Sequence, residues 1–210
     1  MAKARAIVFV DGSNFYHGMK DAGIRPSGLD YVRLSQKLIG DRELIEIRFY
    51  IGQIKQLGNN DRLYKGQRQF LSRLRQQELV SIFYGRLQST PAKGAARKLN
   101  RLLSRLPCDA PISSEILQDL RRIAQSEEKQ WIEKGVDVMI AIDMVIMASK
   151  DKYDVAYLLS ADGDFTSAVQ EVRNTDRKVF VASVSPGHEI SKVAYKFIRL
   201  RREFFSGCWQ

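Results

Sequence analysis

Four aspartates stand where an α/β chain can gather carboxylates. Asp11 closes an apolar run in VFVDGSN, Asp162 and Asp164 follow another in LLSADGDF, and Asp137 opens an apolar stretch in KGVDVMIAID. Carboxylates crowded at one mouth repel one another and resist ionisation unless a cation neutralises them. A hard divalent ion with oxygen ligands, Mg²⁺ or Mn²⁺, suits such a set. The matching chemistry is hydrolysis of a phosphodiester, with a metal-bound water as nucleophile and no protein nucleophile. Each acid alone has a plainer role. Asp-Gly after a strand is a turn signal, and an Asp near a helix start complements the helix dipole. Only jointly do the four argue for a site.

A parallel sheet is what would bring them together. Residues 5–10, RAIVFV, read as a strand covered on both faces. Ser13 or Asn14 can then cap a helix through about Lys20. Helices are expected at 30–39 and 61–77, and strands at 44–51 and 79–84. Residues 135–149 are apolar on nearly every side, so that helix is expected to be central and buried. A strand at 155–160, a helix at 164–174, a strand at 178–184 and a short helix at 189–196 complete the alternation. The fold class is therefore α/β: a mainly parallel sheet with helices on both faces, whose ligands bind beyond the carboxyl ends of the strands. Residues 89–128 break the rhythm with Pro91, Pro107 and Pro111, and space Leu99, Leu102, Leu103 and Leu106 as a helix does. They read as a helical insertion in a single domain spanning 1–210. Residues 200–210 form a tail whose Phe204, Phe205 and Trp209 can dock on the body or on a second subunit. Docking on the body is the simpler expectation, and a homo-oligomer stays open.

The chain has 210 residues, 44% apolar, with 34 Lys and Arg against 24 Asp and Glu, net +10. That composition excludes disorder as the main state, and no apolar stretch reaches the ~18 residues of a membrane span. Cys108 and Cys208 form no CxxC pair, and MAKARAIVFV is no signal peptide. A cytoplasmic, reducing location is the simplest expectation. The charge is uneven: residues 60–107 hold eleven basic and two acidic residues, net +9. Arg62, Lys65 and Arg68 line up at helical spacing, as do Arg97, Lys98, Arg101 and Arg105. Such lines suit the backbone phosphates of a nucleic acid, although a solvated helix face is the bland alternative. Tyr64, Phe70 and Tyr84 lie among them and can stack bases, with a core role the simpler one for Phe70. P-loop, dinucleotide and nucleophile-elbow signatures are missing, and no nucleotide cofactor is expected. His17 and His188 offer a metal-free acid–base alternative.

VDGSNFY at 10–16, KGVDVMIAIDM at 134–144 and LLSADGDF at 158–165 resemble the three signature blocks of the NYN domain, a branch of the PIN-like nucleases, and are most similar to its LabA-like group. The resemblance covers about 1–88 and 129–200. It implies a Rossmann-like PIN fold and an Mg²⁺- or Mn²⁺-dependent ribonuclease site in which Asp11, Asp137, Asp162 and Asp164 bind metal. Asn14 would orient the first Asp or a substrate phosphate, Ser160 would hold the Asp162 loop, and Lys134 would contact phosphate or balance the acids. Asp143 also matches the family block, but it stands about 120° around an ideal helix from Asp137. It is a secondary candidate, paired with Lys134 or a backbone group. Two alternatives remain: an RNA-binding module without turnover, and a metal-dependent phosphatase, which would need an Asp where Ser13 stands.

Overall fold

The computed structural model describes residues 2–54, 61–91 and 129–209. Strand β1 (Arg5–Asp11) is apolar at every position from Ala6 to Val10 because both its faces are covered. Ala6, Val8 and Val10 enter one core and Ile7 and Phe9 the other. Helix α1 (Gly12–Asp21) follows without a loop, with Asp11 as its N-cap. The abrupt turn requires a glycine: a Cβ on Gly12 would lie 2.6 Å from the Phe49 ring and 2.7 Å from the Tyr50 carbonyl. Both of those residues belong to β2 (Glu43–Gly52). Between them lies α2 (Tyr31–Ile39), whose free N–H groups at Val32 and Arg33 are each capped at 3.0 Å by Asp30.

The chain continues through α3 (Asp61–Leu74), β3 (Val80–Pro91), β4 (Lys129–Lys134) and α4 (Val136–Ser149). Then come β5 (Val155–Leu159), a 3₁₀ turn (Gly163–Phe165), α5 (Thr166–Asn174) and β6 (Lys178–Ser183). A short α6 (Ile190–Val193), β7 (Lys196–Arg199) and a 3₁₀ turn (Arg202–Phe205) finish it. The strand order is β4-β3-β2-β1-β5-β6-β7, and every neighbouring pair from β3 to β7 is parallel. Helices α1 and α2 and the chain end cover one face, and α4, α5 and α6 the other. The order reverses between β1 and β5, the kind of switch point at which open parallel sheets bind ligands.

The chain divides into two compact units, Met1–Arg86 with Glu133–Gln210, and Leu87–Ile132. The first holds the core just described; of the second, the structure describes the two strand segments at its ends. The helical insertion expected at 89–128 lies almost wholly outside the described residues. Four expectations need correction, the first being the cap of α1, which is Asp11 rather than Ser13 or Asn14. Strand β3 runs to Pro91, well beyond 84. The helix expected at 189–196 is a single turn, after which Lys196–Arg199 pair with β6 as an edge strand. Finally, α4 is not central. Val136, Ile140, Met144 and Ala148 are buried, but Val138, Ile142 and Ile146 are 60%, 50% and 43% exposed. A helix resting on one face of a sheet needs one apolar stripe, and its outer face is free to be apolar as well.

Two further contacts frame the sheet. The tail docks on the body: Phe205 is fully buried, Trp209 bridges Leu29, and the Trp209 indole donates to the Arg25 carbonyl at 3.1 Å. At the amino ends of the strands, Arg5 pairs with Asp151 and Asp154 at 2.8 and 2.9 Å, and Arg177 pairs with Asp151 at 2.7 Å.

Candidate active site

At the switch point, one chain of hydrogen bonds joins the ends of β1 and β5. The carboxylate of Asp11 is 3% exposed. Its Oδ1 accepts from the Asn14 amide and its Oδ2 from the Ser160 hydroxyl, both at 3.1 Å. Ser160 Oγ in turn accepts from the Asp162 amide at 3.1 Å, and Asp162 Oδ1 accepts from the Asp164 amide at 3.0 Å. The Asn14 side chain crosses to the same loop, its Oδ1 accepting from the Ala161 amide at 3.1 Å. Strand parity explains the meeting. Asp11 continues the Ile7–Phe9 side of β1 and Ser160 the Ala156–Leu158 side of β5, the side against which α4 packs.

Asp137 stands in the first turn of α4. Desolvation by surrounding protein, then the negative charges of Asp162 and Asp164, hold its carboxyl above the ordinary aspartate range. Asp11 and the Asp162 loop are thus linked through Ser160, and Asp137 feels the charges of Asp162 and Asp164. Among the described residues, however, no three His, Cys, Asp or Glu side chains converge closely enough to hold one ion between them.

Asp143 lies six residues further along α4, about 9 Å down an ideal helix. Its carboxylate accepts from Tyr50 Oη at 2.6 Å and from Arg48 Nη2 at 2.8 Å. Arg48 also donates to Tyr50 Oη at 2.9 Å, pairs with Glu46 at 3.0 Å and lies 4.0 Å from the Phe83 ring centre. These described partners lie on β2, which the sequence reading did not name. The Lys134 side chain lies outside what the structure describes.

Of the basic candidates, Arg62, Lys65 and Arg68 project from α3 and are exposed. The Arg68 guanidinium lies 5.7 Å from the Tyr64 ring centre. Gln67 joins α3 to the carboxyl end of β2, donating to the Gly52 carbonyl and accepting from the Ile54 amide, each at 2.8 Å. This basic face therefore stands at the rim that carries the acids. Arg97, Lys98, Arg101 and Arg105 fall outside the described residues. Phe70 packs on Tyr31 and Phe49, and Tyr84 accepts from Arg75 at 2.6 Å, so both have structural contacts. His17 is exposed, with its ring edge-on to Tyr16.

Sequence reasoning passed over two groups: the Arg48–Tyr50 pair, and a cleft around His188 and Arg199 beyond β6 and β7. The SPGH segment directly after a strand was the available signal for the second, because it too lies at the carboxyl end of the sheet.

A parallel sheet with carboxylates gathered beyond its switch point is the architecture of a PIN-like, nuclease-type domain. The chain belongs to the NYN domain family, whose model matches residues 5–204. Among solved structures, it is similar to a protein of unknown function, VPA0982, from Vibrio parahaemolyticus RIMD 2210633. The two share 19% identity over 96% of each chain, with a TM-score of 0.57. That likeness is one of fold. No curated protein matches the chain. Among the described residues, no helix is long and apolar enough to cross a membrane.

Proposed function

We propose that this protein is a divalent-metal-dependent ribonuclease, with Asp11, Asp137, Asp162 and Asp164 as its acidic group. The observation that carries the reading is the hydrogen-bonded chain Asp11–Ser160–Asp162–Asp164 at the switch point, with the Asp137 carboxyl raised by desolvation and then by the charges of Asp162 and Asp164. An all-oxygen, multiply negative donor set fits Mg²⁺ or Mn²⁺, and Mg²⁺ takes only one or two carboxylates directly while keeping several waters. That fits acids that do not themselves converge on one point. Bound there, such an ion would lower the pKa of a water and offset charge on the reacting phosphate.

The chain's own residues do the rest. Asn14 and Ser160 fix the Asp11 carboxylate, and Ser160 sets the position of the Asp162 loop. Asp143, held by Arg48 and Tyr50, seats α4 so that its first turn presents Asp137 at the mouth. The exposed cations of α3 hold the RNA backbone without reading its bases.

The test is cleavage of labelled single-stranded RNA with Mg²⁺ or Mn²⁺ by wild type, Asp11→Asn and Asp162→Asn. Cleavage that needs the ion and drops by at least about a hundredfold in both variants supports the reading. An RNA-binding module without turnover is the second reading, favoured because, among the described residues, no three acids converge. It predicts tight binding with no cleavage in either ion. Release of phosphate from small monoesters with RNA untouched would point to a phosphatase.

A further inference from the structure

Next to the acid loop lies a cleft of about 320 Å³ lined by Pro186, Gly187, His188, Ser191, Phe197 and Arg199. Its floor is close-packed. A Cβ on Gly187 would come within 2.7 Å of the Phe197 ring and 2.9 Å of Ile190, so only glycine lets the backbone lie against that ring. Ser191 Oγ donates to the His188 carbonyl at 3.0 Å and holds the loop. The loop also abuts the acids: a Cβ on Gly163, between Asp162 and Asp164, would sit 3.5 Å from Glu189 Cβ. Cleft and mouth are therefore neighbours along the carboxyl rim.

The cleft differs from the mouth in charge and polarity. Arg199 is exposed at the end of β7, and among the described residues its guanidinium meets no carboxylate. His188 is exposed beside it in the lining. The nearest acid in sequence, Glu189, is paired with Lys192 at 2.8 Å, which offsets its charge. The half-buried Phe197 supplies an aromatic wall. A cation and an aromatic ring in one recess match a nucleotide, whose phosphate takes the charge and whose base takes the ring. A duplex base is already stacked and cannot enter such a recess, whereas an unpaired one can.

We infer that this cleft is a subsite for one unpaired nucleotide of the RNA strand that crosses the acid mouth. Arg199 and His188 bind its phosphate, and Phe197 stacks its base. The inference rests on the reading of the mouth as an RNA site, and it adds a second cationic contact on the side of the mouth away from α3. The strand would then be held at both flanks, which orients the phosphodiester between them.

The test is binding of fluorescein-labelled oligoribonucleotides of stepwise increasing length in EDTA, so that nothing is cut. Wild type should gain about tenfold in affinity at the length that reaches the cleft. Arg199→Ala should abolish that step, and Phe197→Leu, which keeps the packing, should reduce it about threefold; both should leave the affinity for shorter chains unchanged. No step in wild type, a step that survives Arg199→Ala, or a uniform weakening at every length would each overturn the inference. Wild type that shows the step but cleaves nothing with Mg²⁺ or Mn²⁺ would leave the subsite standing and remove the hydrolase reading. Cleavage without the step would do the reverse.

Discussion

Asp137 ionises where surrounding protein desolvates it and beside neighbours of its own sign, and this gives it a measurable cost. Its folded pKa lies above its unfolded value, so the folded state binds the proton more tightly. Stability is therefore unaffected below about pH 4 and declines as pH rises through the raised value. Asp137→Asn should raise the melting temperature at pH 7 relative to wild type, with the gap closing toward about pH 4. If the site takes Mg²⁺, the ion should raise the wild-type midpoint and move the variant less. The acids themselves were legible in the sequence because Asp11, Asp162 and Asp164 follow apolar runs and Asp137 opens one. Asn14 and Ser160 were legible with them, three and two residues from an acid. The Arg48–Tyr50 contact with Asp143 was not. It spans 95 and 93 residues of chain, and a helical projection shows only that Asp143 faces away from Asp137.

At the scale of elements, a part-buried junction ties α4 to β2. Tyr50 is fully buried, and its hydroxyl both donates to Asp143 and accepts from Arg48. Burial and the Asp143 carboxylate keep the phenol protonated, while Asp143 and Glu46 keep Arg48 charged. Tyr50→Phe removes a hydrogen bond to a charged partner and should cost about 1.5–3 kcal/mol in denaturant unfolding. RNA cleavage should fall as well, since α4 carries Asp137. Which elements exist was largely readable: β1, β2, α2, β5 and β6 announce themselves by period and by turn residues. Two strands were not. KFIR of β7 is four residues long with a charge at each end, and only its pairing with β6 makes it a strand. The burial of α4 was misread because an apolar composition does not say how many faces a neighbour will cover.

At the scale of the whole molecule, the two ends of the described strands carry different ionic groups. The amino ends of the strands carry the cluster of Arg5, Arg177, Asp151 and Asp154, in which the arginines hold both carboxyls below the ordinary range. A depressed folded pKa contributes stability that is present above the unfolded value and is lost as pH falls through the folded one. Wild type should therefore lose stability below about pH 4, and Arg5→Met should flatten that acid limb while lowering the neutral plateau, read by thermal melts across pH. The carboxyl ends carry the acids with α3 beside them. Replacing Arg62, Lys65 and Arg68 together by Ala should weaken RNA binding at every sequence. It should also lower the slope of log affinity against log salt by about 2. Unchanged affinity would make that face a solvated surface. The parallel architecture was readable from the strand–helix alternation, whereas the switch between β1 and β5 was not, because no local pattern encodes strand order.

The Ser160 hydroxyl also has a kinetic consequence. The amides of Asn14, Ala161, Asp162 and Asp164 each donate to a side chain inside the same small network, rather than to a helix or strand ladder. Their exchange with deuterated solvent should be slow and correlated, like that of one opening unit. Ser160→Ala removes one of the two side-chain bridges between the ends of the paired strands β1 and β5, the other being Asn14 to the Ala161 amide. It should speed the exchange of all four while leaving the amides of β6 and α2 at their wild-type rates.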